Sequence, residues 1–309
     1  MADISAALVK QLRDTTGAGM MDAKKALVET NGDIESAIDL LRTKGILKAG
    51  KKADRVAAEG LVGIAAAGTS AAVVEVNSET DFVARNPEFQ QAVRAIAVTA
   101  LKNGGDPAKT MHAPAPDGGT IGEMLVGLVA KIGENMTLRR TTSLSVSDGV
   151  VAQYVHNTAA DGMGKIGVLV ALESSGDKSR LMDLGRKVAM HVASAKPLAA
   201  TTAELDPKVV EKEKQILTEQ AKESGKPAAV IEKMVEGRIR KFYQESVLVE
   251  QAFVMDPDVT VGAFIEKAGK EMGAAIKLTG FVRYEVGEGI EKAVNDFAAE
   301  VASFAKPKE

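Results

Sequence analysis

The chain of 309 residues contains no cysteine and no tryptophan. Without cysteine it can form no disulfide, no thiolate metal site and no cysteine nucleophile. Aromatic residues are scarce, eight Phe and three Tyr, so a ring that falls outside an apolar pattern is informative. An excess of one charge is also missing. The 39 basic residues stand against 42 acidic ones, which argues against the broad basic footprint of a nucleic-acid binder. Long apolar runs are absent: the longest uncharged stretch, Gly60–Val74, is 15 residues rich in Gly and Ala, short of the roughly 20 needed to span a bilayer. Asp3 stands where a secretory signal would be basic. The expectation is a cytoplasmic protein with no membrane or direct nucleic-acid partner.

What is present describes an ordinary globular chain, 45% hydrophobic and 26% charged, long enough for more than one domain. Three His residues, His112, His156 and His191, lie scattered, outside any metal-binding spacing and without an obvious Ser or Asp companion. Two phosphate-loop matches fail their context. Gly45-x-x-x-x-Gly50-Lys51 has Lys52 where Ser or Thr must meet Mg²⁺, and no strand precedes it. Gly162-Met163-Gly164-Lys165-Ile166-Gly167 is followed by a strand, whereas a dinucleotide site needs a helix N-terminus there. An enzyme with its own cofactor or metal is therefore not expected.

Residues 4–44 predict three short helices, with apolar stripes Leu8, Val9, Leu12, then Ala23, Ala26, Leu27, then Ile34, Ile38, Leu41. A unit this small suits docking, and its pattern is similar to ubiquitin-associated domains. Met20 and Met21 follow a Gly-Ala-Gly turn, and methionine serves equally as core filler and as adaptable binding surface. Lys44–Arg55 reads as a basic connector and domain boundary. Beyond it the body shows an internal duplication. Strands over Gly60–Ala67 and Ala71–Asn77 precede a helix from Pro87 to about Leu101; strands over Val150–His156 and Lys165–Glu173 precede a helix from about Lys178 to Ala195. Thirteen residues then separate Thr120 from Gly133 and Thr260 from Gly273, and a strand-like run follows each glycine. Two α+β units, each a small sheet with helices on one face, are expected. The first carries a Gly/Pro-rich loop, Asn103–Gly119; the second carries Glu204–Gln251, read as an inserted antiparallel helical hairpin with stripes Val210, Leu217, Ser224 and Ile231, Val235, Ile239, Phe242. Glu288–Ala305 has helical spacing of Ile290, Val294, Phe297, Val301 and Phe304. The expected fold class is α+β, divided as residues 1–54, 55–147, 148–287 with the hairpin at about 204–251, and a C-terminal helical module at 288–309.

The most informative stretch is Ala71–Pro87. Val73, Val74 and Val76 form a strand, Asn77 ends it, and Asn86-Pro87 starts a helix as N-cap and first helical residue. Between them lies a polar loop holding Asp81-Phe82-Val83. Its ring admits two readings: a core anchor folded inward, or an apolar wedge held out beside a carboxylate.

Asn77-Ser78-Glu79-Thr80-Asp81-Phe82-Val83 closely resembles the signature loop of the bacterial elongation factor Ts family, nucleotide exchange factors for elongation factor Tu. Thr16-Gly17-Ala18-Gly19-Met20-Met21-Asp22, Lys131-Ile132-Gly133-Glu134-Asn135 and Val286-Gly287-Glu288-Gly289-Ile290-Glu291 match further family motifs in order. The resemblance implies that GDP-bound and nucleotide-free elongation factor Tu is the partner and that Thr80, Asp81, Phe82 and Val83 dislodge its Mg²⁺. It also implies that Leu12, Arg13, Met20 and Met21 dock on the partner's GTP-binding domain. His156, at the tip of the second hairpin, would touch its third domain, although Val155 and Asn157 depart from the family pattern there. A non-catalytic docking scaffold is the alternative, and it leaves the Asp81-Phe82 loop without a role.

Overall fold

The computed structural model describes residues 4–16, 18–223 and 225–291, with 46–48 given by backbone alone. The expected C-terminal helix thus lies outside the described residues beyond Glu291, as do Gly17 and Ser224.

Helices α1 (Ala6–Thr16), α2 (Met20–Glu29) and α3 (Ile34–Gly50) bury Val9, Leu12, Ala23, Ala26, Leu27 and Ala37 between them. Asp33 caps α3, accepting the Ser36 N–H at 3.1 Å. The expected connector from Lys44 is half helix, because α3 continues to Gly50. Tertiary packing overrides the low helix propensity of glycine here: Gly45 sits on Ala130, where a β-carbon would lie 3.4 Å from that of Ala130, and Arg42 pairs with Glu123.

In the body, β1 (Glu59–Ala67) and β2 (Ser70–Ser78) form an antiparallel hairpin running from Glu59↔Ser78 to Ala67↔Ser70. Helix α4 (Pro87–Lys102) follows, then α5 (Pro107–His112), α6 (Ile121–Ile132) and β3 (Met136–Ser145), which pairs with β2. The Asn103–Gly119 segment, expected as a loop, contains α5, nucleated by Asp106 as cap and Pro107 as first residue. The next strands are β4 (Gly149–Ala160) and β5 (Met163–Glu173), then α7 (Lys178–Ala195), the hairpin helices α8 (Pro207–Lys222) and α9 (Ala228–Ser246), short strands β6 (Ala252–Phe253) and β7 (Asp256–Thr260), α10 (Val261–Met272) and β8 (Lys277–Glu285). Helices α6 and α10 open on Thr120 and Thr260 as caps and close on left-handed Gly133 (φ 92°) and Gly273 (φ 65°), a conformation that glycine adopts without a β-carbon penalty.

Three apolar layers hold the body. Leu61, Val74, Val76, Phe89, Val93, Ile96 and Ile121 join β1 and β2 to α4 and α6. Val168, Val170, Leu172, Leu181, Val188 and Ile265 join β5 to α7 and α10. Val62, Val73, Val151, Leu169 and Tyr284 pack strand against strand between them. Strand β2 is thus covered on both faces, so Ala71 to Ser78 are all buried, Glu75 included.

Two further expectations change. The strands do not form two separate sheets: they join in one six-stranded sheet, β3-β2-β1-β5-β4 with β8 also on β5, through the short pairing Val62↔Gly164 and Gly63↔Met163. And β4 does not stop at His156. It continues past a bulge to Ala160 and turns on Asp161-Gly162, a dipeptide suited to tight hairpins, which is where the second glycine-rich match lies.

Candidate functional site

The loop between β2 and α4 is fixed at both ends and along its inner side. Ser78, buried at the end of β2, donates its hydroxyl to the Thr80 carbonyl at 2.9 Å. Glu79 accepts the Asn135 N–H at 2.6 Å and faces Arg55 at 3.5 Å. Thr80 donates its N–H and its hydroxyl to the two carboxylate oxygens of Glu134, at 2.9 and 2.7 Å. On the far side, Val83 and Ala84 are buried in the layer beneath α4 as a single 3₁₀ turn, Val83–Arg85. Asn86 then caps α4, accepting from Glu88 at 2.8 Å and Phe89 at 3.4 Å, and Gln90 reaches back to the Ala84 carbonyl at 3.0 Å.

Asp81 and Phe82 stand between these anchors and point outward. The Phe82 side chain belongs to a residue 74% exposed, its backbone relaxed at φ −63°, ψ −38°. The inward-anchor alternative is therefore excluded, and Val83 takes the anchoring position instead. Asp81 has Arg85 one turn on at 3.9 Å, too exposed a pair to add much stability. The tip thus presents an exposed ring beside an exposed carboxylate.

The remaining expected residues lie on separate elements. Met20 and Met21 are exposed at the start of α2, and Arg13 is exposed on α1. Leu12, a contact candidate by the family resemblance alone, is different: fully buried in the three-helix core, it shapes the module and does not offer its side chain as a contact, because its stripe on α1 packs against α2 and α3. His156 is exposed on β4, within the strand and short of the hairpin tip, with Nδ1 3.0 Å from the Tyr154 hydroxyl.

Sequence reasoning missed the supports. Glu134 and Asn135 were visible only as part of a motif. Glu75 had a clearer signal, a lone charge in an apolar strand. Its buried carboxylate accepts from the Gly287 N–H at 2.8 Å, Asn77 at 3.1 Å, Arg139 at 3.0 Å and Arg140 at 2.5 Å. Burial pushes its pKa up, but the Gly287 N–H and the two guanidinium groups more than offset that and hold it below the usual carboxylate range. Gly287, at φ 73°, is in contact with Ala58, where a β-carbon would lie 2.2 Å from the carbonyl oxygen. Among the described residues, no cluster of three or more His, Cys, Asp or Glu is arranged to hold a metal ion, and no helix is long and apolar enough to cross a membrane.

A sequence model of the family described as Elongation factor TS matches residues 79–288, a span that begins at the loop itself. The chain is similar along nearly its whole length to proteins named Elongation factor Ts: 60% identical to that of Brucella anthropi over 98% of this chain and 99% of the relative, and 56% identical to that of Rhodospirillum centenum over 99% of this chain and all of the relative. That of Parvibaculum lavamentivorans is 57% identical over 99% of this chain and its own full length. With the signature loop intact and the likeness extending from end to end, the chain belongs to the elongation factor Ts family.

Proposed function

We propose that this translation elongation factor acts as a guanine-nucleotide exchange factor: it binds elongation factor Tu carrying GDP, displaces the partner's Mg²⁺ and promotes GDP release so that GTP can bind. The observation that carries this reading is the exposed Phe82 ring on a loop held at both ends. An exchange factor must bind the nucleotide-free partner more tightly than the nucleotide-bound one, and that coupling is reciprocal. Docking spread over several surfaces supplies binding free energy, part of which drives a rigid tip between elements of the partner near its nucleotide. Mg²⁺ is the largest local positive charge on the phosphates, and moving it weakens the hold on GDP.

Asp81 and Phe82 form the tip. Thr80 and Val83, assigned to the same task by family resemblance, face inward and serve by orienting it. Arg13, Met20, Met21 and His156 supply docking contacts. The chain itself performs no bond chemistry and needs no cofactor or metal of its own. A cytoplasmic location and the division into a docking module at 1–54, two body units at 55–147 and 148–287 and a C-terminal module from 288 complete the reading.

The test compares stability with release of labelled GDP from elongation factor Tu. A ring packed in a core would lose about 3–5 kcal/mol on Phe82→Ala. The exposed ring predicts a melting temperature close to that of the parent, with release slowed by about tenfold or more (roughly 1.4 kcal/mol per decade). Asp81→Ala should slow release as well, and the double variant should lose less than the sum, since both act through one tip. Normal release with folded Phe82→Ala protein would return the chain to the scaffold alternative.

A further inference from the structure

We propose that Glu134 is a positioning residue for exchange: by accepting both donors of Thr80 it sets the direction in which Asp81 and Phe82 project. This rests on the exchange reading and adds a residue from a distant turn to it. Glu134 lies 54 residues from Thr80 in sequence, in the turn joining α6 to β3. Its two oxygens are engaged one each by the Thr80 N–H and hydroxyl. The N–H bond holds the main chain and the hydroxyl bond holds the side-chain rotamer. Both are charge-assisted, the stronger class of hydrogen bond.

The neighbouring pair closes the grip from the opposite direction, since the Glu79 carboxylate accepts the Asn135 N–H at 2.6 Å. Two successive residues of the turn therefore hold two successive residues of the loop. The turn is itself immobilised. Gly133 closes α6 with its N–H on the Val129 carbonyl at 2.9 Å, and its own carbonyl accepts from Lys52. Asn135 donates its side-chain amide to the carbonyls of Ala53 and Arg55 at 3.2 and 2.7 Å. A carboxylate presented from so braced a turn acts as a fixed template for the loop.

Without Glu134 the loop keeps its end anchors, Ser78 with its bond to the Thr80 carbonyl and Val83, but the Thr80 N–H and hydroxyl lose their acceptor and the tip samples several directions. Only the fraction pointing correctly can act. Docking surfaces elsewhere hold the complex whichever way the tip points, so the loss falls on the saturating rate of GDP release and spares the half-saturating concentration.

The experiment uses full-length protein, elongation factor Tu and labelled GDP, with Glu134→Ala, Glu134→Gln, Phe82→Ala and the double variant Glu134→Ala/Phe82→Ala. Glu134→Ala should lower the saturating rate by about tenfold, the order expected for losing hydrogen bonds to a charged group. Glu134→Gln keeps one accepting oxygen and should recover part of that loss; it also provides the measurement if the alanine variant melts early. In the Phe82→Ala background Glu134→Ala should slow release by clearly less than it does in the parent, because only Asp81 is left to aim. If Phe82→Ala slows release while neither Glu134 variant does, or if Glu134→Ala slows it equally in both backgrounds, Glu134 does not position the tip. If Phe82→Ala itself leaves release unchanged, the exchange reading fails first and the inference with it.

Discussion

At the scale of single residues, the chain separates buried groups that hold the frame from groups exposed at its surface. His191 belongs to the frame. It is buried on α7, accepts the Val254 N–H on Nδ1 at 3.1 Å, and so carries its proton on Nε2, 2.9 Å from the Gln251 amide oxygen. Protonation would set a second N–H against the Val254 N–H. Burial is the main cause that holds its pKa below the ordinary value of 6.5, the bond to Gln251 opposing it. The unfolded chain therefore takes up the His191 proton first as pH falls, so stability is fully present above about pH 6.5 and declines below it. Glu75 and Glu285, whose pKa values are lowered, lose their contributions in a separate window, below about pH 4.5. Thermal melts between pH 7.5 and about pH 5 should show the midpoint falling toward acid. His191→Gln should flatten that slope whatever its effect on the midpoint. An unchanged slope would assign the acid sensitivity to other groups.

At the scale of elements, the helical hairpin is joined to the body at its root. Along α8 and α9, Val210, Leu217, Ile231, Ile239 and Phe242 are half-buried and Val235 is buried, so the two helices cover mainly each other. At the root, Val247 is fully buried with Ala199 and Leu205. The Ser246 carbonyl accepts from Leu198 and that of Glu245 from Gln251, the residue that also holds His191. A deletion of 213–239 closed by a short Gly-Ser loop should leave the cooperative melt of the body and GDP release near parental values. Extending the deletion to 208–247 removes the root and should reduce stability by about 2–5 kcal/mol, the range for losing a large core side chain with its hydrogen bonds. Denaturant melts of the two deletions decide this; equal stability would show that the root contributes nothing to the body.

At the scale of the whole molecule, the N-terminal module and the Glu79–Val83 loop share one support. Helix α3 lies on α6, Lys52 donates to Gly133, and Asn135 holds the Ala53 and Arg55 carbonyls while its N–H holds Glu79. Contacts on the module's outer surface should therefore be separable from its attachment. Met20→Ala/Met21→Ala should raise the half-saturating concentration for exchange by about tenfold, roughly 1.4 kcal/mol, with the saturating rate unchanged. Removing residues 1–54 should lower the saturating rate too, because Gly133 and Asn135 lose partners that brace the loop. A truncation that alters only half-saturation would show the connector to be passive. The Glu75 network extends the same frame to the far end of the described chain, since Arg139 and Arg140 bind the Glu288 and Glu285 carbonyls as well as Glu75.

The sequence by itself determined the local structure. Strand and helix positions were legible in side-chain period, and Asn86-Pro87 marked a helix start, because caps and periods involve neighbours within a few residues. The motif that carries the family was legible for the same reason, being contiguous. Contacts between distant positions were decided only by the tertiary structure. An aromatic in a polar loop looks the same in sequence whether it turns in or out, and Phe82 turns out because Val83 fills the inner position and Glu134, 54 residues away, holds Thr80. Leu12, a contact only by family resemblance, is core, as its place in the apolar stripe of α1 indicates. The continuation of α3 onto α6, the joining of the strands into one sheet and the bond from Glu75 to Gly287, 212 residues apart, follow from burial and hydrogen-bond pairing between segments that approach each other only after the chain has folded.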